Sequence, residues 1–459
     1  MTSIPSPDNL KQALGGVDNA RCLVVGLGVT GLSLVDYLVT RGATVTVTDS
    51  RPRPPGLAQL RARYPQVTAL TGGLDAAAFA AADRILISPG VSLRQPLVRR
   101  AMARGVPVEG DIEVFARVVD APVVAITGSN GKSTVTQWVG EMAKAAGWDV
   151  RVGGNLGTPA LALLGAVPAD LYVLELSSFQ LETLSSLAPA AAVVLNVSAD
   201  HLDRYDTPAD YAAAKARIYR RAGHCVVNVD DAAVTAMPRH GTVSTFSVQA
   251  PDADCRLAER AGQRWLWLRD CPLAPVSAVK LSGVHNHANA LAAVALADAV
   301  AIPVAAMRAA LAEFGGLPHR MEVVSTVGDV CWYNDSKGTN VGAAIAAIRG
   351  QRRPLIWLAG GDGKGADFTA LGAVVGESVR HAVLLGRDAP RLAAALPASL
   401  AVTRVATLKD AVLTAHRLAA PGDAVLLSPA CASLDMFRDY AERGDRFRDL
   451  VREVTQCAR

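Results

Sequence analysis

The chain has 459 residues, 51% of them hydrophobic and 19% charged, with Lys+Arg 46 against Asp+Glu 42 and a formal net charge of +4. The length exceeds one ordinary core and implies about two to four domains. The composition excludes a disordered chain, and the mild charge without basic runs excludes nucleic acid as an expected partner.

Three α/β blocks follow in chain order. The first opens with an apolar strand at Cys22–Val25, a Gly-rich turn, a helix over Leu32–Thr40 and a strand at Thr44–Thr48. A further apolar strand, Arg84–Ser88, ends in Pro89-Gly90. This βαβ repetition implies a parallel sheet. The second block has strands at Val123–Thr127, Leu171–Glu175 and Ala192–Val197, and a helical stretch over Tyr211–Arg221. An irregular region over 252–268 reads as an antiparallel insertion, and a helix pair from Asn286 to Phe314 closes the block. Asp298, Pro303 and Arg308 interrupt that apolar stretch, so it reads as buried Ala-rich helix and not as a membrane span. The third block follows the linker Gly315-Gly316-Leu317-Pro318. It has strands at Pro354–Ala359, Ala382–Leu385 and Ala424–Ser428, alternating with Ala-rich helices. The expected architecture is α/β in three domains, 1–112, 113–317 and 318–459.

Seven cysteines are scattered without a C-x-x-C pair, which fits a reducing compartment. The opening MTSIPSPDNLKQALGG has no apolar core of a signal peptide, so a cytoplasmic location is expected.

The strongest motif is Thr127-Gly128-Ser129-Asn130-Gly131-Lys132-Ser133-Thr134, between a strand and a helix. Glycines let backbone N–H groups converge on phosphate, Lys132 adds charge, and Ser133 or Thr134 offers a hydroxyl to Mg²⁺. The spacing is G-x-x-G-K-S, shorter than the common phosphate loop. A second Gly-rich turn, Gly26-Leu27-Gly28-Val29-Thr30-Gly31, is followed by Asp49 at the end of the next strand. It fits a dinucleotide, another nucleotide, or a turn that merely packs helix on strand. Glu175 ends a strand, where an acid can hold Mg²⁺ or cap a helix. His201 follows a strand of the same sheet and can bind metal, polarise a phosphoryl oxygen or serve structurally. Lys215, mid-helix, reads as an ordinary surface lysine. The loops Asn334–Asn340 and Gly360–Gly365 each carry a lysine among small residues, and Ser428–Ser433 joins them as a shared ligand surface. Cys431 has no histidine partner in sequence and reads as structural.

In this order, TGSNGKST, GGNLG, ELSSFQLE, HLDRYD, HNHANALAA, LPHR, NDSKGTN, GGDGKGADF and SPACASLDMF resemble the Mur ligase family over nearly the whole chain. The resemblance implies a Rossmann-like N-terminal domain for a uridine nucleotide, a central P-loop ATPase domain and a Rossmann-like C-terminal domain for an amino acid. It implies an ATP-dependent ligase of peptidoglycan precursor synthesis that adds D-glutamate to UDP-N-acetylmuramoyl-L-alanine through an acyl phosphate. Leu27, Thr30, Asp49, Ser50, Arg51, Gly90 and Asn155 match positions for the UDP substrate. Gly128, Ser129, Asn130, Gly131, Lys132, Ser133, Thr134, Asn286, Asn289, Arg320 and Asp335 match positions for ATP. Ser133, Glu175, His201 and a carbamylated Lys215 match positions for two Mg²⁺ ions. Lys337, Thr339, Lys364, Ser433, Leu434 and Tyr440 match the amino-acid pocket. Tyr440 stands where phenylalanine is common, and Gly338 where alanine is frequent. Lys132, Glu175, His201 and Lys215 are the expected catalytic group, in a monomer with no membrane span.

Three rivals share parts of the pattern. A folylpolyglutamate synthetase has the short phosphate loop but begins near it, whereas about a quarter of this chain precedes it. An NAD-dependent oxidoreductase explains Gly26–Gly31 but not TGSNGKST. A non-catalytic ATP-driven module leaves the C-terminal loops without purpose. A Mur ligase that uses L-glutamate would share every motif.

Overall fold

The computed structural model describes residues 20–198, 200–201, 204–281 and 283–456. The first sheet contains β1 (Arg21–Val25), β2 (Thr44–Asp49), β3 (Thr68–Thr71), β4 (Arg84–Ile87) and β5 (Val108–Glu109). Its order is β3-β2-β1-β4-β5 and every pairing is parallel. The chain runs outwards from β1 to β2 and β3 and then crosses back to β4 on the other side of β1, so a cleft opens beyond the carboxyl ends of β1 and β4.

The second sheet contains β6 (Val123–Thr127), β7 (Val150–Gly154), β8 (Leu171–Glu175), β9 (Ala191–Val194), β10 (His224–Asn228), β11 (Thr242–Ser247), β12 (Cys255–Arg260), β13 (Gln263–Leu268) and β14 (Cys271–Pro275). Its order is β14-β13-β12-β11-β10-β9-β6-β8-β7. It is parallel from β7 to β12 and antiparallel across β12, β13 and β14. The antiparallel insertion expected over 252–268 is therefore present and extends through Pro275. β6 lies between β8 and β9, which brings the phosphate-loop motif between Glu175 and the loop after Val194.

The third sheet contains β15 (Glu322–Val327), β16 (Val330–Asn334), β17 (Leu355–Gly360), β18 (Val379–Leu385), β19 (Ala401–Arg404) and β20 (Ala424–Leu427). Its order is β15-β16-β20-β17-β18-β19, with only β15 antiparallel to its neighbour. β16, β20 and β17 are adjacent, so the three lysine- and serine-bearing loops that follow them meet.

The first two sheets share one hydrophobic cluster that includes Val24, Leu34, Phe115, Leu174, Leu181 and Ile218. A second cluster packs helix Lys132–Ala145 against helices Val284–Ala299 and Val304–Glu313. The third sheet is covered on both faces, around Trp357 on one and Phe447 on the other. Pro303 starts the second member of the expected helix pair, because its ring cannot continue the first. The helix expected over Tyr211–Arg221 instead spans Pro208–Ala216, with Pro at its first turn and a capping box from Thr207 and Asp210. It tightens to a 3₁₀ turn over Arg217–Tyr219. Among the described residues no helix is long and apolar enough to cross a membrane.

Trp138 is fully buried, packs 5.0 Å from Phe314 between ring centres, and donates its indole N–H to the Ala310 carbonyl at 3.2 Å. Trp138→Ala is expected to destabilise the central domain by about 3–5 kcal/mol. Urea unfolding followed by tryptophan fluorescence and circular dichroism measures this. An unchanged midpoint would contradict the packing of the terminal helix pair on helix Lys132–Ala145.

Candidate active site

The phosphate loop is shaped by two glycines with positive φ. Gly128 has φ +154° and Gly131 φ +84°. A Cβ on Gly131 would stand 2.3 Å from Asn289 Oδ1, and one on Gly128 would stand 2.9 Å from Leu195 Cβ. The loop is braced from β9's extension: Asn196 accepts from the Asn130 N–H at 2.9 Å and donates to the Asn130 carbonyl at 3.1 Å. Ser129 Oγ accepts from the Ser198 N–H at 2.9 Å. Lys132 curls over the loop and donates to the carbonyls of Gly128 at 2.7 Å and Ser129 at 2.9 Å. Burial lowers its pKa, with Glu175 acting in the opposite sense.

Glu175, 2% exposed, accepts a short bond from the Ser133 hydroxyl and a 2.6 Å bond from Asn155 Nδ2. Burial opposes its charge, yet Lys132, Ser133 and Asn155 together keep its pKa below the ordinary value. Arg320 arrives from the third block and donates to Ser133 Oγ at 2.6 Å.

Lys215 is not a surface lysine. It is 1% exposed and donates to the Gly128 carbonyl at 2.9 Å, with its ammonium 4.4 Å from the Tyr211 ring centre. It lies on the face of helix Pro208–Ala216 that packs beneath the phosphate loop. Burial, helped by Lys132, drives its pKa well below 10.5. A mid-helix lysine has the same local sequence on either face, so only the packing reveals this.

His201 has φ +56° and sets its ring against Phe179 at 4.7 Å between centres. Its Nε2 lies 3.7 Å from Asp200 Oδ2. Asp200 accepts from Lys364 Nζ at 2.8 Å and Asn340 Nδ2 at 3.1 Å. Burial opposes the charge of Asp200, but Lys364 and His201 hold its pKa down. Asn340 also donates to Asn130 Oδ1 at 3.2 Å. Lys337 sets its ammonium 3.7 Å from the Tyr440 ring centre, and burial pushes its pKa down to about 7.

These side chains line one cavity of about 260 Å³, between Lys132, Glu175, His201, Lys215, Arg320, Lys337, Thr339 and Lys364. Two further cavities adjoin it. One, of about 240 Å³, is lined by Gly131, Thr134, Phe246, Leu281, Asn286, Asn289, Leu317 and Asp335, and shares Asn130, Gly131, Arg320 and Lys337 with the first. The other is an open cleft of about 1030 Å³ at the carboxyl ends of β1 and β4, lined by Gly26, Thr30, Asp49, Ser50, Arg51 and Gly90. It shares Asn155 with the central cavity. The three cavities are therefore neighbours with lining residues in common.

Leu27 is buried, and its N–H donates to Asp49 at 2.7 Å. Asp49 also accepts three bonds from Arg51: its N–H at 2.8 Å, Nε at 2.9 Å and Nη2 at 2.7 Å. Burial raises the Asp49 pKa less than these donors lower it. A carboxylate so occupied has little capacity left for a ribose diol, which counts against the oxidoreductase reading. Ser433 is buried and Leu434 is 69% exposed, and neither lines the central cavity. Asn196, Asn340, Asp200 and Phe179 were not singled out as site residues from sequence. Their signal was their place in the polar loops that follow strands. Asp203 and Leu202 of the HLDRYD motif lie outside the described residues, as does Cys457. Cys431 is fully buried, and burial pushes its thiol up to about 12, so it stays protonated.

The donor set suits a magnesium ion held partly by phosphate. The Ser133 hydroxyl and Glu175 carboxylate are adjacent, and both are hard oxygen ligands. Among the described residues no cluster of three His, Cys, Asp or Glu forms a complete metal cage. Mg²⁺ sites commonly use one or two protein ligands and take the rest from substrate phosphates and water.

Three family models match the chain in order: Mur ligase MurD-like, N-terminal domain over residues 20–110, Mur ligase middle domain over 126–297, and Mur ligase, glutamate ligase domain over 319–431. The chain belongs to the Mur ligase family. A UDP-N-acetylmuramoylalanine–D-glutamate ligase from Nitrosococcus oceani is 51% identical over 442 residues, 95% of this chain and 98% of that one. One of the same name from Pseudomonas aeruginosa is 54% identical over 94% of this chain and 98% of its own. Among solved structures, a pseudomurein peptide ligase type C from Methanothermus fervidus aligns with a TM-score of 0.63 at 18% identity, covering 95% of this chain and 100% of that one. A UDP-N-acetylmuramate-alanine ligase from Thermotoga maritima aligns at 0.61 and 18%, covering 96% and 100%. Both share the three-part Mur ligase fold.

Burial pushes the Asp335 carboxyl from 3.8 up to about 7, against the lowering effect of Ser428. The folded protein therefore holds a proton that the unfolded chain releases above 3.8. The stability linked to this proton is complete below that value and is lost as pH rises towards 7. Asp335→Asn removes the ionisation and is expected to raise the melting temperature at about pH 8 but not at about pH 4. A melting temperature unchanged or lowered at the higher pH would show that Asp335 is comfortably ionised in the fold.

Proposed function

We propose that this Mur ligase joins D-glutamate to the carboxyl group of UDP-N-acetylmuramoyl-L-alanine with consumption of ATP, in cytoplasmic assembly of peptidoglycan precursors. The observation that carries this reading is that the central cavity shares Asn130, Gly131, Arg320 and Lys337 with one neighbouring cavity and Asn155 with the other. Relatives about half identical over nearly their whole length carry the name of that reaction. Each chain holds all three cavities, so the monomer is the proposed functional unit. The proposed domains are 1–112 for the UDP substrate, 113–317 for ATP and 318–459 for the amino acid.

In this assignment the cleft at β1 and β4 takes the uridine diphosphate through Thr30, Ser50, Arg51, Gly90 and the Leu27 turn that Asp49 fixes. The muramoyl-alanine arm passes Asn155 into the central cavity. Asn286, Asn289, Asp335 and Thr134 face the adenosine, and Gly128 to Ser133 face the phosphates. Lys337, Thr339, Lys364 and Tyr440 take the amino acid; Ser433 and Leu434 would reach it only after movement of their loop. Ser133, Glu175 and His201 would hold Mg²⁺, which when bound neutralises phosphate charge.

The chemistry has two steps. A carboxylate oxygen of the alanyl group bonds to the γ-phosphorus, the bridging P–O bond breaks, and its electron pair leaves on ADP. The glutamate nitrogen then bonds to the acyl carbon, the C–O bond to phosphate breaks, and the amine proton passes to a base. Lys132 must leave the loop carbonyls and turn to the phosphates, where it offsets charge as two anions approach. Asp200, kept ionised by Lys364, is placed to meet the incoming ammonium group. The contacts of Arg320, Asn340 and Lys364 with the central block keep water from the acyl phosphate.

Burial lowers the Lys215 pKa and so favours the neutral amine, the form that can add CO₂ to give a carbamate and release a proton. The resulting anion beside the phosphate loop is a ligand for a second Mg²⁺. Lys215→Ala is therefore expected to lose nearly all activity and to recover part of it with added formate or acetate. Absence of rescue in a folded variant would count against the carbamate.

The direct test is phosphate release with ATP, Mg²⁺ and UDP-N-acetylmuramoyl-L-alanine. Release with D-glutamate and not L-glutamate is expected. Release with L-glutamate alone would keep the mechanism and replace the amino acid, and release with neither would remove the assignment.

A further inference from the structure

One contact set crosses from the nucleotide cleft to the central cavity and has no role in the chemistry above. Arg204 donates from Nη1 to the Pro89 carbonyl at 2.8 Å and from Nη2 to the Val91 carbonyl at 3.3 Å. Both carbonyls belong to the segment that walls the nucleotide cleft. The same guanidinium pairs with Glu182 at 2.7 Å and lies 4.1 Å over the Phe179 ring. Phe179 is the ring against which His201 packs, and it lines the central cavity. Only 11% of the Arg204 side chain is exposed, so these interactions are largely shielded from solvent.

We infer that Arg204 is a positioning residue that fastens the wall of the nucleotide cleft to the Phe179–His201 floor of the central cavity, setting the span a substrate must cover between them. The cleft wall does not need Arg204 for its own shape. Ser88 is tied to Val25 and Gly26, and Val91 to Ser88, by bonds within the first block. What Arg204 adds is the distance and angle between two blocks. A planar guanidinium can reach two carbonyls, a carboxylate and an aromatic face at once, which an ammonium cannot. A second tie, Arg94 to Asp206 with two bonds of 2.7 Å, spans the same gap but is exposed and screened by solvent.

The inference rests on the proposed substrate, and the test separates the two. Binding of UDP alone and of UDP-N-acetylmuramoyl-L-alanine is measured by calorimetry for the wild type, Arg204→Met and Arg204→Lys, with ADP affinity as the check on folding. For Arg204→Met, a loss of about tenfold or more is expected for the spanning substrate, with UDP and ADP affinities within about twofold of wild type. Arg204→Lys should fall between. In turnover, KM for the UDP-linked substrate should rise while KM for ATP stays. Equal losses for UDP and the spanning substrate would overturn the inference in favour of local damage to the cleft, and no loss for either would overturn it outright. If Arg204→Met fails to bind ADP, Arg204→Lys decides by the same comparison. A wild type that binds the spanning substrate no better than UDP would instead refute the proposed substrate.

Discussion

Bringing a carboxylate up to a triphosphate is opposed by charge, and the layout of this chain follows from that opposition. The central cavity gathers five basic side chains, Lys132, Lys215, Arg320, Lys337 and Lys364, against two carboxylates, Glu175 and Asp200. No single βαβ unit could hold so many like charges without ligand. Here they are spread over two blocks and kept apart by what each one touches. Lys132 and Lys215 rest on carbonyls of the phosphate loop, Lys364 on Asp200, and Lys337 on an aromatic face. Each partner is weak enough to be exchanged for a phosphate or carboxylate oxygen.

The division into blocks serves the same end. Parallel sheets place loops at one end of their strands, so three sheets can point three sets of loops at a common centre. The first and second blocks share a hydrophobic cluster, while the third has clusters of its own. The third block meets the central one through polar contacts: Arg320 on Ser133, Asn340 on Asn130 and Lys364 on Asp200. Polar contacts over a wet cleft break and reform at little cost, whereas a shared apolar core does not. The first two blocks are thus joined by a common apolar core, and the third by polar contacts.

Much of this was legible in the sequence, and the parts that were not share a cause. Fully buried strands such as Val123–Thr127 and Leu171–Glu175 read directly, because both faces are apolar and the run is continuous. Strand Glu322–Val327 did not, because its residues are mostly half-exposed and carry no continuous apolar run. Val150–Gly154 was obscured by its two glycines, which tertiary pairing with β8 overrides. The phosphate loop was legible because its glycines are demanded by geometry. The burial of Lys215, the brace from Asn196 and the strap from Arg204 were not, because each depends on a partner remote in the chain. Asp49 was legible as a strand-end acid, but its engagement by Arg51, which leaves it little capacity for a ribose diol, was not.

Lys215 shows how far the central constraint reaches. A buried lysine is costly, and the fold lessens the cost by lowering its pKa, which favours the neutral amine. A structural role alone would be met better by methionine or leucine, which carry no such penalty. Tyr211 and the Gly128 carbonyl hold the Lys215 side chain where it lines the central cavity. Conversion to a carbamate, as proposed above, would place a negative charge beneath the phosphate loop, where it would hold a metal ion. The basic side chains of the cavity would then be one half of the proposed design, and a carbamate at Lys215 the other.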